Sequence, residues 1–265
     1  MMSVVRSVTN GGVCTVTLCD EANRNALGRQ LVSEMIAAFE SAEADDDARV
    51  IVLTNEGRTF CAGANLAERS AGPDDAPPAA TTPMHLFERF ARSPKPYVGR
   101  IAGHCVAGGM GLAAAMDISV TVDDVKFGFT EVRIGVAPAM ISVVCLPKMR
   151  GADARAAFLR GNRFDGAEAA RLGLVNLAVP RSRLDDEVDL IVEDLLAASP
   201  NALAVSKQLL AAVPMMPTDE AFEWTSKVSA ELFATDEARE GMNAFLEKRP
   251  PWWVRSTPAR RPDDA

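Results

Sequence analysis

Apolar and polar residues alternate from Val4 to Val8 and again from Val13 to Leu18, with Asn10-Gly11-Gly12 between them. A period of two broken by glycines predicts an opening β-hairpin. From Leu27 to about Glu43 the period lengthens: Leu31, Val32, Met35, Ile36 and Phe39 recur at helical spacing, which predicts an amphipathic helix. An apolar run at 50–54 reads as a strand. Ser70 to Pro83, with Pro73, Pro77 and Pro78 among alanines and aspartates, can hold no regular element and reads as a mobile loop or lid. Helical spacing resumes from Met84 to Ala91, ahead of a strand at 97–102. A short helix of small residues (Gly109 to Met116) and a strand (Asp117 to Val122) follow. Strands alternating with helices to this point predict parallel βαβ units.

Beyond about residue 150 the pattern turns helical: Ala152–Leu159, Ala167–Leu172, Arg183–Ala198, Ala202–Ala212, Asp219–Phe233 and Asp236–Glu247. Within that half, Leu174 to Val179 alone reads as a strand. The Arg-, Pro- and Asp-rich tail is expected to be loose after Trp253.

The chain has 265 residues, enough for one large domain or a core with a smaller appendage. No apolar run approaches the roughly 20 residues needed to cross a bilayer, so no membrane partner is expected. The start, Met1-Met2-Ser3-Val4-Val5-Arg6, enters a strand rather than a signal peptide, and a cytoplasmic location is the expectation. A net charge of −8 argues against a nucleic-acid surface. Cys14, Cys19, Cys61, Cys105 and Cys145 are odd in number and contain no CxxC pair, so neither disulfides nor a metal cluster is expected. The only histidines are His85 and His104, and none is spaced to activate Cys61, which reads as a packing residue.

Two segments carry candidate chemistry. Thr59-Phe60-Cys61-Ala62-Gly63-Ala64-Asn65-Leu66 and Ala102-Gly103-His104-Cys105-Val106-Ala107-Gly108-Gly109-Met110-Gly111-Leu112 each follow a predicted strand and lead into a helix. Small residues let a ligand approach the backbone, and the first N–H groups of a helix lack partners inside it. Two such groups aimed at one point form an oxyanion hole, which stabilises charge developing on a carbonyl oxygen.

With Asn23-Arg24-Asn25-Ala26-Leu27, Phe60-Cys61-Ala62-Gly63-Ala64-Asn65-Leu66, Ala107-Gly108-Gly109, Asp117, Phe127-Gly128 and Glu131-Val132-Arg133-Ile134-Gly135, the chain resembles the crotonase superfamily of enoyl-CoA hydratases and isomerases. Further matches are Phe233 to Met242 and Phe245 to Arg249, so the resemblance spans nearly the full length. It implies an α/β fold: a ββα spiral acyl-CoA-binding core, placed at 1–197, and a C-terminal helical trimerisation region at 198–265. It also implies an acyl-CoA thioester substrate, no cofactor beyond the CoA carried by that substrate, no metal, and a homotrimer or dimer of trimers.

Position by position, the resemblance implies that the N–H groups of Ala64 and Gly108 form the oxyanion hole. Arg24, Ala26 and Leu27 would line CoA on one wall, and Ala62, Asn65 and Leu66 on the other. Asn65 stands where Asp is commoner. Lys248 is a candidate contact to a neighbouring subunit's CoA, or an exposed helix-end lysine. Hydratases resembling crotonase itself hold water between two glutamates; here one position is Glu131 and the other is Gly111. Apolar neighbours Phe127, Phe129, Val132 and Ile134 are expected to raise the Glu131 pKa toward the working range, which suits acid–base exchange. The plainer reading pairs Glu131 with Arg133 or makes it a cap. Glu88 and Asp117 are weaker candidates for the base.

The resemblance implies an enoyl-CoA hydratase with one acid/base glutamate. The run Glu131 to Ala139 looks most like hydratases of branched or carboxylated enoyl-CoAs, such as methylglutaconyl-CoA. A Δ3,Δ2-enoyl-CoA isomerase also needs only one base, and a catalytically silent acyl-CoA-binding protein is the alternative outside enzymology.

Overall fold

The computed structural model describes residues 3–70 and 82–254. Most of the segment read as a lid, and the tail read as loose, fall on 71–81 and 255–265, outside the described residues.

Strands β1 (Val5–Asn10) and β2 (Val13–Leu18) form the expected hairpin, pairing Val5 with Leu18 and Asn10 with Val13. Gly11 and Gly12 take positive φ (59° and 92°), as a two-residue hairpin turn of matching twist requires. β2 buries Cys14, Val16 and Leu18 on one face. Next to it in parallel lies β3 (Val50–Asn55), buried at every position, followed by β5 (Tyr97–Ile101), β7 (Ile118–Val122) and β10 (Leu177–Val179). The order β1-β2-β3-β5-β7-β10 has all pairs parallel except the hairpin. Leu174 and Val175, read as strand, are buried in a turn ahead of β10 instead.

A second sheet is built from strands of two or three residues: β4 (Thr59–Cys61), β6 (His104–Val106), β8 (Lys126–Gly128) and β9 (Phe164–Asp165), in that spatial order. Its inward positions Phe60, Cys105 and Phe127 are fully buried, whereas Thr59, His104 and Lys126 alternate to the outer face. Each of β3, β5 and β7 runs directly into a strand of this second sheet, and helices carry the chain back. α2 (Leu66–Ser70) and α3 (Pro83–Arg92) follow β4, α4 (Gly108–Ala115) follows β6, and α5 (Ala139–Cys145) with α6 (Gly151–Arg160) follow β8. The repeat is therefore the ββα spiral, an α/β architecture. It brings the ends of β4, β6 and β8 side by side, because β4 and β8 both pair in parallel with β6.

Helix α1 (Arg29–Ala44) buries Leu31, Val32, Met35 and Phe39. Phe39, Phe90 of α3 and Tyr97 of β5 meet edge-on, with ring centroids 4.8–5.5 Å apart. Such contacts add roughly 0.5–1.5 kcal/mol each beyond the burial itself. Among the described residues, no helix is long and apolar enough to cross a membrane.

The C-terminal helices are α8 (Leu184–Ala197), α9 (Pro200–Ala212), α10 (Thr218–Phe233) and α11 (Asp236–Glu247). α9 is keyed to the core by Lys207, which is 8% exposed. Its ammonium donates to the carbonyls of Phe90 and Lys95 (both 2.9 Å) and to the Asp117 carboxylate (2.6 Å). That carboxylate also accepts from the Tyr97 amide at 2.7 Å. Asp117 is thus a structural anchor for the start of β5. α10 buries no residue, and Phe222, Phe233, Phe245 and Leu246 stand exposed along α10 and α11.

Removing one partner of a buried ion pair leaves the other charge uncompensated. Because Asp117 is partly solvated, Lys207→Ala is expected to cost about 3 kcal/mol, the low end for such a pair, read from urea unfolding. A loss within experimental error would mean that the pair does not anchor α9.

Candidate active site

The loop at Arg24 and Asn25 is held in the left-handed region (φ 53° and 49°). Asparagine tolerates that conformation when its side chain bonds locally. Asn25 is fully buried: its Oδ1 accepts from the Asp20 amide (2.8 Å) and its Nδ2 donates to the Thr59 carbonyl (2.7 Å). The loop is then joined to the segment after β4, since the Ala62 amide donates to Arg24 (3.1 Å) and the Leu27 amide to Gly63 (2.7 Å). Sequence positions about forty residues apart form one hydrogen-bonded wall.

Gly63 has φ +86°, and a Cβ there would lie 2.6 Å from Ala107 Cβ and 2.9 Å from Gly108 N. Only glycine permits that approach. A Cβ on Gly108 would lie 3.6 Å from Ala64 N, so the Ala64 and Gly108 amides are neighbours on adjoining backbone. Ala107 caps α4 with φ 50° and ψ −124°, a conformation that costs a non-glycine residue on the order of 1–3 kcal/mol. It turns the chain so that Gly108 opens the helix. In the hydrogen-bond network of the described residues, neither the Ala64 nor the Gly108 N–H donates to a protein acceptor. The Leu27–Ala64 bridge uses the Gly63 carbonyl and not the Ala64 amide.

Glu131 stands on a 3-10 turn (Thr130–Ile134) directly after β8. Phe129, ahead of it, is buried against Phe158 with centroids 4.1 Å apart, which fixes the turn. The Glu131 Oε2 is buried and, among the described residues, has no hydrogen-bond partner, and this burial raises its pKa above the ordinary carboxyl value. Arg133 is committed elsewhere: its guanidinium donates to the carbonyls of Gly161 (2.8 Å) and Arg160 (3.1 Å). Glu88 pairs with Arg92 on the surface and Asp117 with Lys207, so both rival carboxylates have structural partners.

Leu27, Ala62, Ala64, Leu66, Gly108 and Glu131 line one cavity of about 980 Å³. Arg24 lines a smaller cavity of about 440 Å³ that shares Ala62 and Arg163 with the first. In it His104 accepts from the Lys126 amide at Nδ1 (3.0 Å), and burial, then Arg58 and Arg163, lower its pKa. Ala26 and Asn65 line neither. Ala26 sits inside the loop turn. Asn65 caps α2, accepting from Ala67 (3.1 Å) and Glu68 (3.3 Å), while Glu68 in turn accepts from the Arg29 amide. Lys248 ends α11 with φ 54°, exposed and apart from both cavities. Cys61 is fully buried with its thiol pushed up to about 12, in keeping with a packing role.

Gly111 explains why a second carboxylate has no place. A Cβ there would lie 2.6 Å from Ile141 Cγ2 and 2.7 Å from Phe87 Cζ. These two apolar side chains, both lining the large cavity, fill the space beside Gly111. Neither could be singled out from the sequence, where each looks like an ordinary core position of a helix.

Gly111→Ala should therefore destabilise by about 1–3 kcal/mol, the usual cost of overpacking; an unchanged urea midpoint would show that Phe87 and Ile141 yield freely. A second outcome follows from Glu131. A folded-state pKa raised above 4.5 means that stability linked to this proton is full below the unfolded value and is lost as pH rises through the folded one. Glu131→Gln is expected to melt at or above wild type near pH 7 and to lose that advantage near pH 4. A lower melting temperature at about pH 7 would make Glu131 a structural residue.

The chain is similar to known proteins over nearly its whole length. A solved enoyl-CoA hydratase from Mycobacterium avium is 40% identical, with a TM-score of 0.72 over 96% of this chain and 100% of its own. One from Mycobacterium smegmatis is 27% identical with a TM-score of 0.88, over 95% and 99% of the two chains. A carnitinyl-CoA dehydratase from Citrobacter koseri is 31% identical over 92% of this chain and 95% of its own. Residues 8–256 match the sequence profile described as enoyl-CoA hydratase/isomerase, and the chain belongs to that family.

Proposed function

We propose that the protein is an enoyl-CoA hydratase that adds water across the double bond of a 2-enoyl-CoA, using Glu131 as its single acid/base. The observation that carries this reading is an unpartnered, desolvated carboxyl oxygen in the same cavity as two unsatisfied backbone amides. The thioester oxygen of the substrate accepts from Ala64 and Gly108, which draws electron density from Cβ. Glu131, as carboxylate, takes a proton from water while the hydroxide oxygen bonds to Cβ. The π electrons move onto the thioester as an enolate held by the two amides. The protonated Glu131 then returns its proton to Cα on the same face. Water is consumed whole, and the enzyme ends as it began. No cofactor enters these steps, because CoA is part of the substrate.

Each amide is worth roughly 2.7–4 kcal/mol in the transition state, by analogy with a single oxyanion-hole donor. Being backbone groups, they need no reorganisation during the reaction. Leu27, Ala62 and Leu66 would pack along the CoA arm. Exposed Phe222, Phe233, Phe245 and Leu246 support assembly through α10 and α11 into a homotrimer or dimer of trimers.

A second reading is favoured by the Phe87–Ile141 wall at Gly111. With apolar groups there, a water has one carboxylate to hold it rather than two, which suits a Δ3,Δ2-isomerase moving a proton between Cα and Cγ. Assays of 2-enoyl- and 3-enoyl-CoAs separate the two.

Glu131→Gln keeps the size but cannot carry the proton, so turnover in either reaction should fall by roughly 10²–10⁴. Acyl-CoA affinity should survive. The wild-type rate should fall on the acid side through a pKa above 4.5. Near-normal turnover of Glu131→Gln would overturn the assignment, and binding without any turnover by wild type would point to a silent acyl-CoA-binding protein.

A further inference from the structure

We infer that the acyl group this site selects is an uncharged hydrocarbon of several carbons beyond the reacting pair, neither a short acyl group nor a carboxylated one. The inference rests on the acyl-CoA reading above and names its substrate class. The observation is the stretch from Ile134 to Ile141, which has no ionisable or hydrogen-bonding side chain over eight consecutive residues. It begins three residues after Glu131 and forms one wall of the same cavity. Ile134, Val136 and Met140 are 57%, 53% and 43% exposed, so these apolar side chains face open space instead of the core. Apolar surface gathered beside a reactive group is the mark of a ligand chamber.

Some of the wall's backbone donors are also spent. The Val136 amide donates to the Glu131 carbonyl (3.3 Å) and the Ala139 amide to Ala137 (2.8 Å), while Pro138 has no donor. Phe87 and Ile141 close the chamber beside Gly111. Of the cations that line the cavity, Arg133 shares the turn of Ile134, while Arg69 and Arg163 stand elsewhere. Arg133 is spent on the Gly161 and Arg160 carbonyls, Arg69 lies in the last turn of α2, and Arg163 lies where the two cavities meet. Of the two substrate types suggested by the run Glu131 to Ala139, branched and carboxylated, this wall disfavours the carboxylate.

The test measures binding of saturated, unreactive thioesters by calorimetry, so that it does not depend on turnover. Full burial of one methylene corresponds to about a four-fold gain in affinity. Octanoyl-CoA should bind at least ten-fold more tightly than butyryl-CoA, against a ceiling of roughly 250-fold for its four extra methylenes. Glutaryl-CoA should bind no better than butyryl-CoA. Met140→Asp, at an exposed position in the first turn of α5 where an acidic residue is tolerated, should bring the octanoyl-to-butyryl ratio close to one.

A flat series, or glutaryl-CoA binding more tightly than octanoyl-CoA, overturns the inference; the latter result would point to Arg69 or Arg163 as a carboxylate reader. An unchanged ratio in Met140→Asp also overturns it, because the wall would not touch the chain. The hydratase reading fails separately: a steep binding series with no hydration or isomerisation by wild type leaves the substrate class standing and removes the reaction. Turnover of short enoyl-CoAs with a flat series does the reverse.

Discussion

Everything in this site depends on two strands of backbone coming closer than side chains allow. Gly63 approaches Ala107 and Gly108 within a distance that a single methyl group would occupy, and a Cβ on Gly109 would fall 2.6 Å from the Cys61 carbonyl. This contact sets the Ala64 and Gly108 amides, which have no protein acceptor among the described residues, side by side. The strained Ala107 is held by the same contact, and its amide is tied to the Gly128 carbonyl at 2.9 Å. Gly128 ends β8, three residues before Glu131. The backbone donors and the carboxylate are therefore positioned by one short sheet, not by separate loops.

Glu131 shows the usual tension between stability and chemistry. A carboxyl oxygen left without a partner is unfavourable for folding, and a surface glutamate would serve the fold as well. The turn keeps it in place because Phe129 is locked against Phe158 and Arg133 is bound to two carbonyls. Arg133 is the neighbour that could have neutralised the carboxylate; turned toward Gly161 and Arg160, it holds the turn and leaves Glu131 without that counter-charge.

The long elements were legible in the sequence because each repeats its pattern several times: the hairpin, α1, β3, β5, β7 and the C-terminal helices stand close to where the sequence pattern put them, whereas β10 is shorter than its apolar run suggested. The second sheet was not. Two or three residues cannot display a period, so β4, β6, β8 and β9 were invisible, although they organise the site. The glycine-rich turns compensated, since Gly63 and Gly108 mark close backbone approach directly. Side-chain purpose was harder to read. Nothing near Asn65 in sequence separates a ligand contact from a helix cap, and nothing in α3 or α5 shows that Phe87 and Ile141 would meet over Gly111. Such facts arise only when elements distant in the chain are brought together.

Lys207 has a consequence for how the chain is made. Asp117 precedes it by 90 residues, so the strand start that Asp117 anchors is synthesised long before its counter-charge exists. Arg49 likewise waits for the carbonyls of Leu196, Ala198 and Trp253. On a ribosome, the spiral can wind as it emerges, but two of its charged fastenings stay open until the helical end follows. The helical end of the chain therefore closes fastenings whose other halves lie in the spiral, and neither can form until residue 196 or later has been made.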